Sequence, residues 1–178
     1  MADGGPSPRQ PSTAGAALAV EIVRHDPAWT RAQVTDAILE RAARAALSAT
    51  TPDSPYRVTL VLTGDEEMRD LNRLWRGQDK ATNVLSFSAD PVRGRGFLGD
   101  LVLACETAGK EADEQGKSLP DHVSHLIIHG MLHLLGFDHT EDDEAERMET
   151  AERAALASIG IADPYTKTDE TRQTEMSP

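Results

Sequence analysis

Three histidines and a glycine in His129-Gly-Met-Leu-His133-Leu-Leu-Gly136-Phe-Asp-His139 restrict the local fold more tightly than any other stretch of the chain. At about 3.6 residues per turn, a separation of four puts His129 and His133 on one helix face, one turn apart, so that their ring nitrogens can converge on a single ion. Gly136 then ends the helix, because glycine takes the positive φ of a helix C-terminus without steric cost. Past that turn, His139 can come back toward the same point. Three neutral imidazoles with a fourth position open are the donor set of a catalytic site, since structural zinc sites are closed by four protein ligands.

The same ligand spacing occurs in zinc proteases, where a glutamate after the first histidine serves as general base. Here Gly130 stands in that place. A three-histidine site without a carboxylate ligand keeps the full charge of the ion, which suits an anionic substrate better than a neutral amide. A phosphodiester fits: the metal can polarise a phosphoryl oxygen and activate water. His125 continues the stripe at spacing four and is expected to support or pack beside the ligands. Asp138, next to His139, is a candidate to orient a ligand ring, or an ordinary turn aspartate. His122 lies on the same helix, and His25, near Pro27, is expected at the surface.

The chain of 178 residues has room for one domain with a real core. Residues 1–17, with Pro6, Pro8 and Pro11, and residues 163–178 lack apolar periodicity and are expected to be disordered tails around a folded unit of 18–162. Leu18 to Arg24 and Tyr56 to Leu62 read as strands. Thr30 to about Ala49 reads as a helix facing inward through Val34, Ile38, Ala42 and Ala45. Thr63-Gly-Asp-Glu66 has the spacing of a capping box ahead of a helix carrying Met68, Leu71, Leu74 and Trp75. Asn83 to Ser88 and Phe97 to Ala104 read as neighbouring strands, and Glu106 to Gln115 as a short helix. The long histidine-bearing helix opens at Ser118 with Pro120 behind it. A last helix runs from about Glu141 to Ile159, with Ala145, Met148, Ala155, Leu156 and Ile159 inward. The sum is an α+β domain with a roughly four-stranded mixed sheet and about five helices.

A single cysteine, Cys105, excludes an internal disulfide and is expected to be core rather than a fourth metal ligand. No run of about twenty apolar residues is present, so a membrane span is excluded and a cytoplasmic location expected. The net charge of −12 argues against a nucleic-acid partner. Its distribution weakens that argument. The acids cluster in Glu141, Asp142, Asp143, Glu144, Glu146, Glu149 and Glu152, a run read as a solvated helix face, while Arg69, Arg73, Arg76, Lys80, Arg93 and Arg95 outnumber the acids between them.

Three segments together are similar to the bacterial YbeY family: Leu71 to Phe87 (LNRLWRGQDKATNVLSF), Leu98 to Ala104 (LGDLVLA), and the histidine motif with the acidic stretch after it. The resemblance implies a single-strand-specific endoribonuclease that acts in ribosomal RNA processing, including maturation of the small-subunit 3′ end, and in ribosome quality control. It implies a cleft at the C-terminal end of the long helix, one zinc ion per chain held by His129, His133 and His139, and a functional arginine at Arg76. Implied partners are single-stranded ribosomal RNA, ribosomes or small-subunit particles, and assembly factors. Phosphate chemistry gives Arg76 a role, because guanidinium presents a planar fork to a phosphate. Arg69, Arg73 and Lys80 would extend the RNA path. Phe137 stands where the family often has tyrosine, and Ala81 where it often has proline. Two other readings remain open on the residues alone: a non-catalytic assembly factor that keeps zinc for stability, and a peptidase that borrows a base such as Glu144 or Glu146.

Overall fold

Strands form where Val, Ile and Leu alternate or run together, and helices where the apolar period lengthens. A computed structural model describes residues 17–50, 55–90, 96–139 and 141–165. In chain order these residues form β1 (Leu18–Arg24), α1 (Ala28–Arg31), α2 (Asp36–Ser48), β2 (Tyr56–Thr63), α3 (Asp65–Arg76), β3 (Val84–Ser88), β4 (Phe97–Ala104), α4 (Cys105–Glu114), α5 (Leu119–Leu134) and α6 (Asp142–Ser158). The sheet has the order β1-β2-β4-β3, with β1, β2 and β4 parallel and β3 antiparallel at the edge. The fold is the expected α+β domain with a mixed four-stranded sheet.

The central strands are covered on both faces, as parallel strands require. On one face Leu60, Leu62, Leu101 and Leu103 pack with Ile127, Ile128, Met131 and Leu132 of α5 and with α2 residues such as Leu39, Ala42 and Ala46. On the other, Val102 and Leu85 pack with Met68 of α3. Helix α5 is apolar on most of its circumference and lies against α2, α4, α6, β3 and β4. It is the axis of the domain, and its packing on five other elements anchors the backbone that carries His129 and His133. Gly99, at φ +138°, sits where β4 passes Phe87 of β3 so closely that a Cβ would run into the Phe87 carbonyl.

Two local expectations are corrected. The single helix expected from Thr30 is broken: α1 ends at Arg31, Gln33 takes a positive φ of 57°, and α2 starts anew at Asp36. The reason is Thr35, whose extended backbone and side-chain oxygen cap the Ile38 amide and so start a helix there instead of continuing one. The capping box at Thr63 also does not form. Thr63 remains in β2 and its hydroxyl donates to Glu67, while the cap position is Gly64. The helix starts are satisfied across space: Glu106 accepts from the Asp65 amide at 3.0 Å, and Asp65 accepts from the Thr107 amide at 3.1 Å. Leu74 and Trp75, which share the helical period of α3, are largely exposed, with the Trp75 ring edge-on to Phe87 of β3 at 5.7 Å between centroids. Among the described residues no helix is long and apolar enough to cross a membrane. The stretches 1–16 and 166–178, most of the two expected tails, lie outside the described residues, as do Arg93 and Arg95.

Candidate metal centre and cleft

Helix α5 places His129 and His133 one turn apart, with their Nε2 atoms 3.1 Å from each other. Behind them Gly136 takes φ +91°, and the amides of Gly136 and Phe137 close onto the carbonyls of His133 and Leu132, both at 3.0 Å. This reversal returns the chain, and the His139 ring comes to 5.1 Å from that of His133 and 6.1 Å from that of His129. One ligand atom from each of the three lies within 4.8 Å of the others.

The donor set fits a metal ion. Nδ1 of His133 lies 3.1 Å from the Phe137 carbonyl, which can only accept, so the proton sits on Nδ1 and the Nε2 lone pair is free. Nδ1 of His129 faces a carboxylate oxygen of Glu152 at 3.3 Å, an ion-pair distance. Where both rings carry their proton on Nδ1, two lone pairs face each other across this 3.1 Å gap and repel unless a cation lies between them. Tetrahedral zinc with Zn–N bonds of about 2.0–2.1 Å would separate its ligand nitrogens by roughly 3.3 Å, close to the spacing here. Burial, and next to it the charge His129 would carry, lower the His133 pKa and favour the neutral imidazole that a metal needs. Nδ1 of His139 lies 3.4 Å from Asp138, whose carboxylate also accepts from the His139 amide at 2.7 Å.

Gly130, where a protease carries its base, faces the sheet. A Cβ there would stand 2.8 Å from a Leu101 methyl and 3.2 Å from the Ser86 hydroxyl. Close packing of α5 on β3 and β4 therefore admits a side chain at this position only if the buried Leu101 shifts.

The three histidines open into a cleft of about 890 Å³. The wall along the sheet edge is formed by Thr82, Asn83, Val84, Ser86 and Ser88, and Arg76, the last residue of α3, also lines the cleft. Glu111 braces this wall by accepting from Asn83 at 2.8 Å and meeting His122 Nε2 at 2.9 Å. Of the four basic residues expected along an RNA path, Arg76 alone lines the cleft. Arg69 is held bidentately by Asp79 at 2.7 and 2.8 Å, which raises the Arg69 pKa and lowers that of Asp79. Arg73 pairs with Asp70 at 2.9 Å, and Lys80 lines a separate depression with Arg69 and Asp79. Among the described residues no ion pair engages Arg76.

Glu152 is the residue the sequence reading passed over. Counted there with the solvated acids, it is fully buried on α6 between Met148 and Leu156. Its Oε1 lies 2.9 Å from His125 Nε2 as well as 3.3 Å from His129, and its Oε2 accepts from the Tyr165 hydroxyl. Burial opposes its charge, but the facing His125 and His129 rings and the Tyr165 hydroxyl win and hold its pKa well below the usual carboxylate range. The signal was present: Glu152 falls four residues after Met148 and four before Leu156, in the apolar stripe of its helix. Tyr165, assigned to the tail by composition, lines the cleft. Cys105 and Met148 are in the core, and neither joins the converging group. His25 is at the surface, 3.0 Å from Glu67.

The family model described as endoribonuclease YbeY matches residues 24–160. The endoribonuclease YbeY of Paramagnetospirillum magneticum is 49% identical over 148 residues, covering 78% of this chain and 90% of its own. That of Rhizobium leguminosarum is 44% identical over 161 residues, covering 84% and 94%. The solution structure of TM1509 from Thermotoga maritima superposes with a TM-score of 0.51 at 19% identity, covering 83% of this chain and 99% of that one, a likeness of fold. With the matched segment spanning the sheet, the histidine helix and the cleft, the chain belongs to the endoribonuclease YbeY family.

Proposed function

We propose that this protein is a zinc-dependent endoribonuclease that cleaves single-stranded ribosomal RNA, with His129, His133 and His139 holding the ion and Arg76 engaging the scissile phosphate. Its substrate would be presented in the cytoplasm on ribosomes or small-subunit particles, with assembly factors as partners, and the small-subunit 3′ end is the proposed processing site. The observation that carries the reading is that Arg76 and the three imidazoles line one cleft.

A zinc ion held by the histidines supplies Lewis acidity toward a phosphoryl oxygen. Arg76 donates to a phosphate bound in the cleft, and its planar fork can follow the oxygens as charge develops on them. With no carboxylate paired to it among the described residues, Arg76 loses no ion pair when a phosphate arrives. Arg69, Arg73 and Lys80 form the outer part of the RNA path; their exposed ion pairs are weak enough to exchange for phosphates. Asp138 steadies His139, and His125 buttresses the ligand face of α5 through Glu152. The close packing at Gly130 keeps a base out of the position that a zinc protease uses, so a peptidase would need its base from elsewhere, such as Glu144 or Glu146.

The test is metal content and cleavage of a single-stranded RNA, measured on the same preparations of wild type, Arg76→Ala and His133→Ala. Cleavage that survives complete metal removal and His133→Ala would reject the reading. Binding of ribosomal particles with cleavage at background in the metal-loaded wild type would instead support a non-catalytic assembly factor.

A further inference from the structure

Helix α6 carries an acid where its neighbours are apolar. Met148, Ala155 and Leu156 are buried on the same face as Glu152, whose exposure is 0%. A carboxylate stripped of water is costly unless hydrogen bonds and charges replace its hydration, so a structural role alone would favour another apolar residue there. Glu152 has no lysine or arginine partner among the described residues; its ion-pair partners are His125 and His129. Its third partner is the Tyr165 hydroxyl. All three are side chains that line the cleft. Everything that stabilises the buried acid thus belongs to the cleft wall.

We propose that Glu152 is a positioning residue: its carboxylate accepts the Nδ1 proton of His129 and so holds that ring with Nε2 turned toward His133 and His139. The inference rests on the metal-centre reading given above and adds to it the group that selects one histidine tautomer. The arrangement is a carboxylate–histidine pair of the kind that raises ligand basicity and fixes ring orientation at metal sites. The division of labour among the partners follows from geometry. Oε1 is buried without an aligned hydrogen bond and is faced by His125 Nε2 at 2.9 Å and His129 Nδ1 at 3.3 Å, so it is an acceptor in want of a proton that the His129 ring can supply. Oε2, on the other side, is closed by Tyr165, which keeps water from competing for the acid. Sequence distance hides the pair: the two residues lie on different helices, α5 and α6, joined by the turn that also delivers His139.

The experiment uses full-length wild type, Glu152→Gln, Glu152→Met and Tyr165→Phe, each stripped of metal and then titrated with Zn2+ alone. Histidine tautomers are read by long-range 1H–15N NMR at pH 8, Zn2+ affinity by competition with a chelating dye, and folding by thermal unfolding. In metal-free wild type, His129 is expected to carry its proton on Nδ1. Glu152→Met, whose side chain suits the apolar stripe, should stay folded, lose the fixed His129 tautomer and bind Zn2+ about 10- to 100-fold more weakly. Glu152→Gln should lie between, because its amide oxygen still accepts one N–H, and Tyr165→Phe should change affinity less than tenfold. A wild-type His129 protonated on Nε2 would overturn the proposal, and so would folded Glu152→Met and Glu152→Gln proteins with Zn2+ affinity within threefold of wild type. If both variants fail to fold, the wild-type tautomer decides. A wild type that does not bind Zn2+ would refute the metal reading itself, while the His129 tautomer would still decide whether Glu152 orients the ring.

Discussion

Gly130 and Leu101 are in contact through the one surface of α5 that carries no side chain: a Cβ on Gly130 would stand 2.8 Å from a Leu101 methyl. The glycine that breaks the protease pattern is therefore a packing residue. Restoring the protease sequence with Gly130→Glu should not create a peptidase. Overpacking alone costs about 1–3 kcal/mol, and a carboxylate forced against Leu101 adds desolvation to it. Urea unfolding should show a loss of at least about 3 kcal/mol with peptide hydrolysis at background; a variant as stable as wild type would mean that α5 sits farther from the sheet.

Arg76→Ala and His133→Ala should fail in different ways. Loss of His133 removes a ligand, so bound zinc and RNA cleavage disappear together. Loss of Arg76 leaves zinc at one ion per chain and lowers cleavage by about 10²- to 10³-fold, the usual effect of deleting one donor to a developing oxyanion. Metal analysis beside single-turnover cleavage separates the two, and an Arg76→Ala protein that cleaves normally would remove this residue from the site.

RNA affinity should depend on salt less steeply than in a basic binding protein, because Arg69 and Arg73 begin in ion pairs with Asp79 and Asp70. Each phosphate neutralised contributes about 0.7 to the log–log slope for a single strand. Arg76→Ala should flatten the slope by about that amount, whereas Asp79→Asn, which frees Arg69, should steepen it. Filter binding across a salt series measures both, and an unchanged slope in Arg76→Ala would show that Arg76 makes no phosphate contact.

Cys105 is held in the core, where burial first and the neighbouring Glu106 charge next push its thiol up to about 11. The thiolate is the reactive form, so at pH 8 alkylation should run more than about a hundredfold slower than for free cysteine. Zinc removal should leave that rate unchanged. Acceleration on chelation would instead mark Cys105 as a ligand.

Legibility in the sequence followed distance along the chain. The histidine pair at spacing four, the turn at Gly136, the cap at Ser118 and the strand runs are local, and each formed as read. The capping box at Thr63 was local too, yet it lost to partners from α4: Glu106 reached the Asp65 amide, and Thr63 turned to Glu67. The helix expected from Thr30 broke because a threonine cap competes with helix continuation on nearly equal terms, and periodicity does not decide between them. Leu74 kept the helical period but found no surface to cover, and Trp75 meets the edge of the Phe87 ring while staying largely exposed.

By itself the sequence determined that three imidazoles would meet at the end of a helix, because an i, i+4 pair and a glycine turn need nothing beyond their own backbone. Only the tertiary structure decided which residues face them. Arg76 reaches the cleft because α3 ends beside the edge strand β3, and Glu152 reaches His129 because α6 folds back along α5. Such meetings between distant segments depend on how the whole core closes, and a buried acid has the same local sequence as an exposed one until its helix is packed.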